Sequence, residues 1–354
     1  MSPPPPHPPP RRARRRAAEH PTDGTVTLGM VAQRAGVSPS TVSRILNGTA
    51  TVSEDKRAAV AEAIALLRFV PNPVARGLAG GRTMSVGVVT QAIDSPFYGG
   101  ALRGIEDQLL RAAYSALFVS GHWNARHEAR CIDTLRARRV DGVIVLTGRL
   151  SDATLAGYAR SMPVVVTGRR QSAPGLMALD FDNFGGARLA VEHLLGLGHR
   201  RIAFISGDMR HPDSKERLRG YRSALEAAGV PLHAALILAG AYTEESGRIA
   251  VEQLLDRGER FSAVFAANDQ MAYGARLALH RRGLQVPGDV SLVGFDDLAS
   301  SVYSIPPLTT VHHPIYELGQ LAATALLQLL AGERPAPTMP QPRLIAREST
   351  APPR

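Results

Sequence analysis

One cysteine, Cys131, and two lysines, Lys56 and Lys215, are all that 354 residues contain of those types. A single cysteine excludes an internal disulfide and any cysteine-based metal cluster. Cys131 falls at an apolar position of a predicted helix, so it reads as a buried thiol rather than a nucleophile. No apolar run approaches the ~20 residues of a transmembrane helix, and the first residues lack the apolar core of a secretion signal. The expectation is a soluble, cytoplasmic protein with no membrane partner. His122, His199, His211, His312 and His313 are scattered without metal-ligand spacing, and no glycine-rich phosphate loop is present. No metal, no cofactor and no catalytic cluster is therefore expected. Almost all of the 41 basic residues are arginine, which goes with the abundant Ala, Gly and Pro as a coding bias. The formal charge of +10 points to a polyanionic partner, although part of the excess lies in the N-terminal tail.

What is present begins with TLGMVAQRAGVSPSTVSRILNG at 27–48, which reads as two short helices joined by a tight turn. Thr27 can cap the first helix, and Val31, Ala32 and Ala35 give it a small apolar face. Gly36 permits a left-handed turn residue. Ser38 stands at an N-cap with Pro39 at the first helical position. Val42, Ile45 and Leu46 then recur at helical spacing and must face inward. Ser40, Thr41, Ser43 and Arg44 are left near the outer face, short donors plus one fork-shaped cation, as a helix in a DNA major groove requires. The bland alternative is an ordinary helical hairpin with polar residues outside.

Residues 1–26 carry a proline tract and RRARRR without apolar periodicity, and read as a disordered, dispensable tail. Its basic run would add only sequence-independent phosphate contacts. Ser53 caps a third helix whose Val60, Ile64 and Leu67 close a small core, and Pro71 stops it. Asn72-Pro73 then starts a short helix from Val74 to Ala79. Its interior Gly77 costs about 1 kcal/mol, so this helix needs a partner and a surface to form. A plain flexible linker is the alternative.

From Met84 onward short apolar runs alternate with amphipathic helices: MSVGVVT (84–90), a helix from Gly99 to Tyr114, ALFVS (116–120), a helix near 125–139, GVIVL (142–146), a helix near 152–160, PVVVT (163–167) and MALD (177–180). The pattern restarts with a helix from Asn183 to Leu197, RIAFIS (201–206), a helix at about 215–228, LILAG (236–240), a helix at 244–257, AVFAAND (263–269), a helix at 270–281 and VSLVGFDD (290–297). Unbroken apolar strands each followed by a helix indicate an α/β fold with parallel sheets covered on both faces. The restart near Asp182 suggests two similar lobes. Ligands of such folds bind beyond the carboxyl ends of strands. There stand Asp94, Phe97 and Tyr98, then Arg217 opening a helix, Tyr242, Asn268 and Asp296. Aromatic faces with planar Asp, Asn and Arg groups suit a polyhydroxylated ring. Asp182 and Asp269 read as helix caps.

From about Thr27 to Thr350 the chain resembles the LacI/GalR family of bacterial transcriptional repressors. The resemblance is carried by TLGMVAQRAGVSPSTVSRILNG, PNPVARGLAGGRT, DSPFY, ARLAVEHLLGLGHRRIAFISG, ERLRGY, AVFAANDQMAYGA, VSLVGFDD and IPPLTTVHHP. It implies a helix-turn-helix headpiece over 27–71, a hinge helix within 72–82 and a two-lobed, periplasmic-binding-protein-like core over 83–350. It places lobe 1 at about 83–181 and 311–332, and lobe 2 at about 182–310 and 333–350, with the helix from Tyr316 to Leu330 in the first lobe and a closing strand around Arg343–Arg347 in the second. Pro39, Ser40 and Arg44 would occupy base-reading positions, with Thr41 and Ser43 at groove and phosphate contacts. Thr27, Ser38 and Asn47 join them as DNA-binding candidates. Pro39 departs from relatives that carry a donor there, so base reading falls on Ser40 and Arg44. Leu78 matches a hinge leucine that wedges into the minor groove. Phe97, Arg217, Tyr242, Asn268 and Asp296 match effector-contacting positions, and Asp94 and Tyr98 stand beside them. Many relatives have an acid just before Arg169; here Gly168 stands in its place.

The implied partners are a near-palindromic double-stranded operator, a small-molecule effector (a sugar first of all) and a second copy of the chain. A sugar-binding protein with no DNA-linked function is the alternative, and an α/β enzyme a more distant one. Replacing Leu78 by Ala should weaken specific operator binding more than non-specific binding; equal losses on operator and random duplex would contradict the wedge role.

Overall fold

The computed structural model describes residues 26–46, 52–70 and 81–354. All of the expected tail except Val26, together with Asn47, Pro71 and the hinge residues 72–80 including Leu78, lie outside the described residues. The chain divides into two units, residues 1–81 and 82–354.

In the first unit, α1 (Leu28–Arg34), α2 (Pro39–Leu46) and α3 (Glu54–Leu67) surround one small core. Thr27 caps α1 by accepting from the Met30 N–H at 3.4 Å, and Ser38 Oγ accepts from the Thr41 N–H at 3.2 Å at the start of α2. Gly36 has φ +65, the left-handed conformation that the turn between the helices needs. Val31, Ala32, Val42, Val60 and Ala63 are buried, and Ile45, Leu46, Ile64 and Leu67 pack against them. Two corrections emerge. Ser53 occupies the N-cap of α3 but its side chain makes no cap bond; the acidic Glu54 and Asp55 in the first turn complement the helix dipole there instead. The helix also ends before Pro71, because Arg68 adopts φ 50 and turns Phe69 back into the core.

The second unit carries two sheets. The first has the order β2-β1-β3-β4-β5, built from β1 (Ser85–Thr90), β2 (Ser115–Ser120), β3 (Gly142–Val145), β4 (Val164–Thr167) and β5 (Leu176–Leu179). The second runs β11-β10-β9-β8-β6-β7, from β6 (Ile202–Ser206), β7 (Ile237–Ala239), β8 (Ala263–Ala266), β9 (Ser291–Asp296), β10 (Thr309–His312) and β11 (Arg343–Ile345). All neighbours are parallel except β11, which lies antiparallel to β10. Every residue of β3, β4, β8 and β9 is buried. Helices on both faces exclude water from these strands, which is why they read as unbroken apolar runs.

The helices are α4 (Pro96–Arg111), α5 (Ala125–Ala137), α6 (Asp152–Ala159), α7 (Asn183–Gly196), α8 (Pro212–Ala227), α9 (Glu244–Asp256), α10 (Asp269–Arg281) and α11 (Ile315–Leu330). Both α4 and α8 begin three residues earlier than expected, because Pro96 and Pro212 sit in their first turns. Arg217 therefore lies in the second turn of α8 and does not open it. The chain leaves the first sheet after Leu179, enters the second lobe at α7, and returns after His312, where α11 packs on α4. Val311 and His312, expected in the first lobe, belong to β10; Val311 pairs with Phe295 of β9 and is buried in the second core.

Helix pairs approach through reciprocal glycines. A Cβ on Gly104 would overlap the Tyr316 carbonyl and one on Gly319 the Ala101 carbonyl, joining α4 to α11; Gly247 and Gly274 stand likewise against Met271 and Glu244 across α9 and α10. A Gly274→Ala substitution gains helix propensity worth about 1 kcal/mol but forces two backbones apart. We expect a net loss of roughly 1–3 kcal/mol, read as a lower thermal midpoint; an unchanged or raised midpoint would contradict this packing.

Candidate functional site

In the first sheet the strand order reverses direction on either side of β1, and in the second on either side of β6. Crevices open at such switch points, beyond the carboxyl ends of the strands. A cleft of about 630 Å³ lies there, between the two lobes, within the size range of small-molecule sites. Asp94, Phe97, Tyr98, Arg217, Tyr242, Asn268 and Asp296 all line it. So do Trp123, Arg149, Asp208, Arg210 and Asp213, which the strand-end pattern had not singled out, and His211, which read only as one of several scattered histidines. Applied to every strand, the strand-end rule would have found Trp123 after β2, Arg149 after β3 and Asp208 after β6.

The inner wall is organised by Arg217, 3 % exposed. Its Nε donates to Asn183 Oδ1 at 2.8 Å, its Nη1 to the Ala267 carbonyl, and its Nη2 lies 3.6 Å from Asp296 Oδ1. The guanidinium sits 3.7 Å from the centre of the Phe295 ring, a cation–π contact. Burial pushes the Asp296 carboxyl up to about 7, with Arg217 pulling the other way. Burial also raises the Asp213 carboxyl and drives His313, stacked 4.0 Å from Phe181, down to about 3. Asp296 Oδ1 and both ring nitrogens of His313 are buried without hydrogen-bond partners among the described residues.

Aromatic groups form the rest of the wall. Phe97 meets Tyr98 edge-on at 5.3 Å. Burial pushes the Tyr98 phenol far up, and that of Tyr242 up to about 12. The Tyr242 hydroxyl lies 2.6 Å from Ser214 Oγ. Asn268 has a double position: it lines the cleft, yet its Oδ1 caps α10 by accepting from the Met271 N–H at 2.9 Å and its Nδ2 donates to the Tyr242 carbonyl at 3.1 Å. The expected cap, Asp269, is instead buried at the first position of α10, accepting from Thr310 Oγ1 and Ser301 Oγ at 2.6 Å and from the Leu298 N–H at 2.8 Å. Asp182 does cap its helix, accepting from the Gly185 N–H at 2.8 Å.

Cleft-lining side chains also meet across the lobes. Arg149 Nη2 reaches Asp208 Oδ2 at 3.1 Å, and the ring of Trp123 meets that of His211 at 3.8 Å. Asp208 also accepts from Arg210 Nε at 2.9 Å, and the Arg210 bond above all holds its carboxyl below the ordinary range. Burial pushes His211 down to about 4. The buried Glu128 fixes the Arg149 loop by accepting from the Arg149 and Leu150 N–H groups at 2.9 and 3.1 Å. Arg169 braces the same loop through the Leu150 and Gly148 carbonyls at 2.8 and 2.9 Å. Gly168 has φ +69, and a Cβ there would come within 3.1 Å of Thr147, so a side chain would be both strained and crowded.

On the helix-turn-helix unit, Ser38, Pro39, Ser40 and Arg44 are exposed, while Thr41 and Ser43 are half-buried. The Ser38 hydroxyl lies 2.9 Å from those of both Ser40 and Thr41, so Ser40 is already engaged within the helix start. Thr27 serves as the cap of α1. Among the described residues no helix is long and apolar enough to cross a membrane, and no group of three or more His, Cys, Asp or Glu is placed to hold a metal.

A helix-turn-helix unit followed by a two-lobed α/β core with a cleft defines a class: DNA-binding transcriptional regulators controlled by a small-molecule effector. The model described as "Bacterial regulatory proteins, lacI family" matches residues 27–72, and that of the periplasmic binding protein-like domain matches residues 191–350. Catabolite control protein A of Priestia megaterium is 35 % identical over 310 residues, covering 87 % of this chain and 93 % of its own. The lac repressor dimer bound to operator and the anti-inducer ONPF superposes with a TM-score of 0.85 at 32 % identity, over 92 % of this chain and 99 % of that one. The CelR–cellobiose complex gives 0.67 at 36 % identity, over 92 % and 99 %. The chain belongs to the lacI family of bacterial regulatory proteins.

Proposed function

We propose that the chain is a cytoplasmic, non-catalytic repressor, active as a homodimer on a near-palindromic operator, whose DNA affinity is set by a sugar bound between the lobes. The observation that supports this most is the convergence of Phe97, Tyr98, Trp123 and Tyr242 with Arg217, Asp213 and Asp296 in one cleft. Flat rings cover the C–H face of a pyranose, and carboxylates accept from its hydroxyls. The cellobiose complex of CelR and the operator complex of the lac repressor dimer support the two halves of the reading.

In this reading residues 27–71 form the headpiece, 72–82 the hinge and 83–350 the core. Pro39, Ser40 and Arg44 face bases, Thr41 and Ser43 the groove wall and phosphates, and Thr27, Ser38 and Asn47 complete the surface, with Leu78 as the minor-groove wedge. Asp94, Phe97, Tyr98, Arg217, Tyr242, Asn268 and Asp296 contact or shape the effector site. Asn268 acts chiefly by fixing the wall, since its amide is engaged with Met271 and Tyr242. Effector-driven lobe closure alters the separation of the two hinges in the dimer, and with it the affinity for DNA.

A thermal-shift screen of sugars and nucleobases tests the effector half. A ligand at 100 times its Kd stabilises the native state by about 2.7 kcal/mol, several degrees for a core of this size. A sugar among the shifting compounds is the expected result; no shift with any sugar would remove the reading.

A further inference from the structure

We infer that the cleft selects an uncharged, polyhydroxylated effector and rejects phosphorylated ones, and that Asp213 enforces this choice. The inference rests on the sugar reading above and adds to it the charge of the ligand.

The cations that line the cleft are each paired with a carboxylate, although Arg149 Nε is left without a hydrogen-bond partner among the described residues. Arg149 and Arg210 converge on the one carboxylate of Asp208, at 3.1 and 2.9 Å. Two nitrogens of Arg217 donate to protein acceptors, Asn183 Oδ1 and the Ala267 carbonyl, and the third lies 3.6 Å from Asp296 Oδ1 as an ion pair without a hydrogen bond. A bidentate clamp on a phosphate would have to displace one of them. His211 and His313 are held neutral by burial, so they add no positive charge. Against three guanidinium groups the wall sets five carboxyl groups, Asp94, Asp208, Asp213, Glu244 and Asp296.

Hydrogen-bond capacity points the same way. Asp296 Oδ1 is buried and accepts no hydrogen bond among the described residues. The Asp213 carboxylate lines the same cleft and lies 3.7 Å from the point a Cβ on Gly168 would occupy, so it extends from the second lobe toward Gly168 and Thr147 of the first. Two open carboxylates call for donors. Sugar hydroxyls supply them, whereas a phosphate dianion brings only acceptors and like charge. Burial raises the pKa of both carboxyls, so a further negative charge beside them adds to a desolvation cost already present.

Calorimetric titration of the full chain with matched probes tests this. The neutral sugar giving the largest thermal shift is compared with its own monophosphate ester and with inorganic phosphate. We expect the neutral sugar to bind at least about tenfold more tightly than the ester, a gap of about 1.4 kcal/mol, and inorganic phosphate not to compete. Asp213→Asn, checked for an unchanged melting profile, should narrow that gap at least about fivefold, because it removes the repulsion and leaves an isosteric amide. An ester or inorganic phosphate that binds as tightly as the sugar overturns the charge inference while leaving the sugar reading in place. An unchanged gap in Asp213→Asn overturns the role of Asp213. Failure of every sugar to bind removes the sugar reading itself, and the inference with it.

Discussion

Replacing Arg217 by methionine is expected to abolish effector binding, with a loss of at least about 100-fold, or roughly 2.7 kcal/mol. Methionine is apolar and removes the guanidinium that stacks on Phe295, donates to Asn183 Oδ1 and the Ala267 carbonyl, and sets a positive charge 3.6 Å from Asp296. Asp296 is then buried with no countercharge, and breaking a buried ion pair costs about 3–5 kcal/mol when the remaining charge cannot adapt. Here it can adapt in part, because burial already holds its pKa near 7. A carboxyl whose pKa is raised on folding is held neutral below that value and destabilises the fold as the pH rises through it. Loss of Arg217 removes the opposing pull and raises the Asp296 pKa further, so the variant should melt closer to the parent at pH 6 than at pH 8. Calorimetric titration with the identified effector gives the binding loss. Affinity within threefold of the parent would show that Arg217 is dispensable to the site.

The second large effect is expected at Arg44. An arginine bidentate to guanine contributes about 1–3 kcal/mol of base discrimination, and a dimer on a two-fold site applies that at both half-sites. Pro39 has no donor, and the Ser40 hydroxyl is engaged with Ser38 at 2.9 Å. Under the proposed readout, Arg44 is expected to carry more of the base discrimination than an arginine flanked by other base readers would. Arg44→Ala should weaken operator binding by about 2–6 kcal/mol while random-sequence binding falls far less. Arg44→Lys keeps the charge but not the fork, so it should retain the salt dependence of binding and lose most of the sequence preference. Fluorescence anisotropy on operator and scrambled duplexes at two salt concentrations separates these outcomes. Equal losses on both duplexes would reduce Arg44 to a phosphate contact.

The features that were legible in the sequence were those with a local physical cause. Pro39 after Ser38 marks a helix start because proline lacks the N–H that the first turn leaves unused, and α2 begins there. Unbroken apolar runs marked the strands because both faces of each sheet are covered. The same proline signal at Pro96 and Pro212 was available but outweighed by the apolar spacing further along, which delayed both helices by a turn. The missed features depend on contacts distant in the chain. Phe69 is core only because Arg68 turns left-handed and folds it back. Asn268, which lines the cleft as expected, also takes the cap role expected of Asp269, because Thr310 and Ser301, more than thirty residues away, hold the aspartate. Arg149 and Asp208 acquire meaning only when two lobes bring strand ends 59 residues apart within an ion-pair distance.

Coupling between the cleft and the DNA is the central claim, and one reciprocal titration tests it most directly. Operator affinity of the full-length chain is measured with and without the saturating sugar, and sugar affinity with and without operator. Linkage requires both ratios to be equal, and the account predicts a common factor of about 5–150. Operator affinity that is the same with and without a sugar shown to occupy the cleft would contradict it.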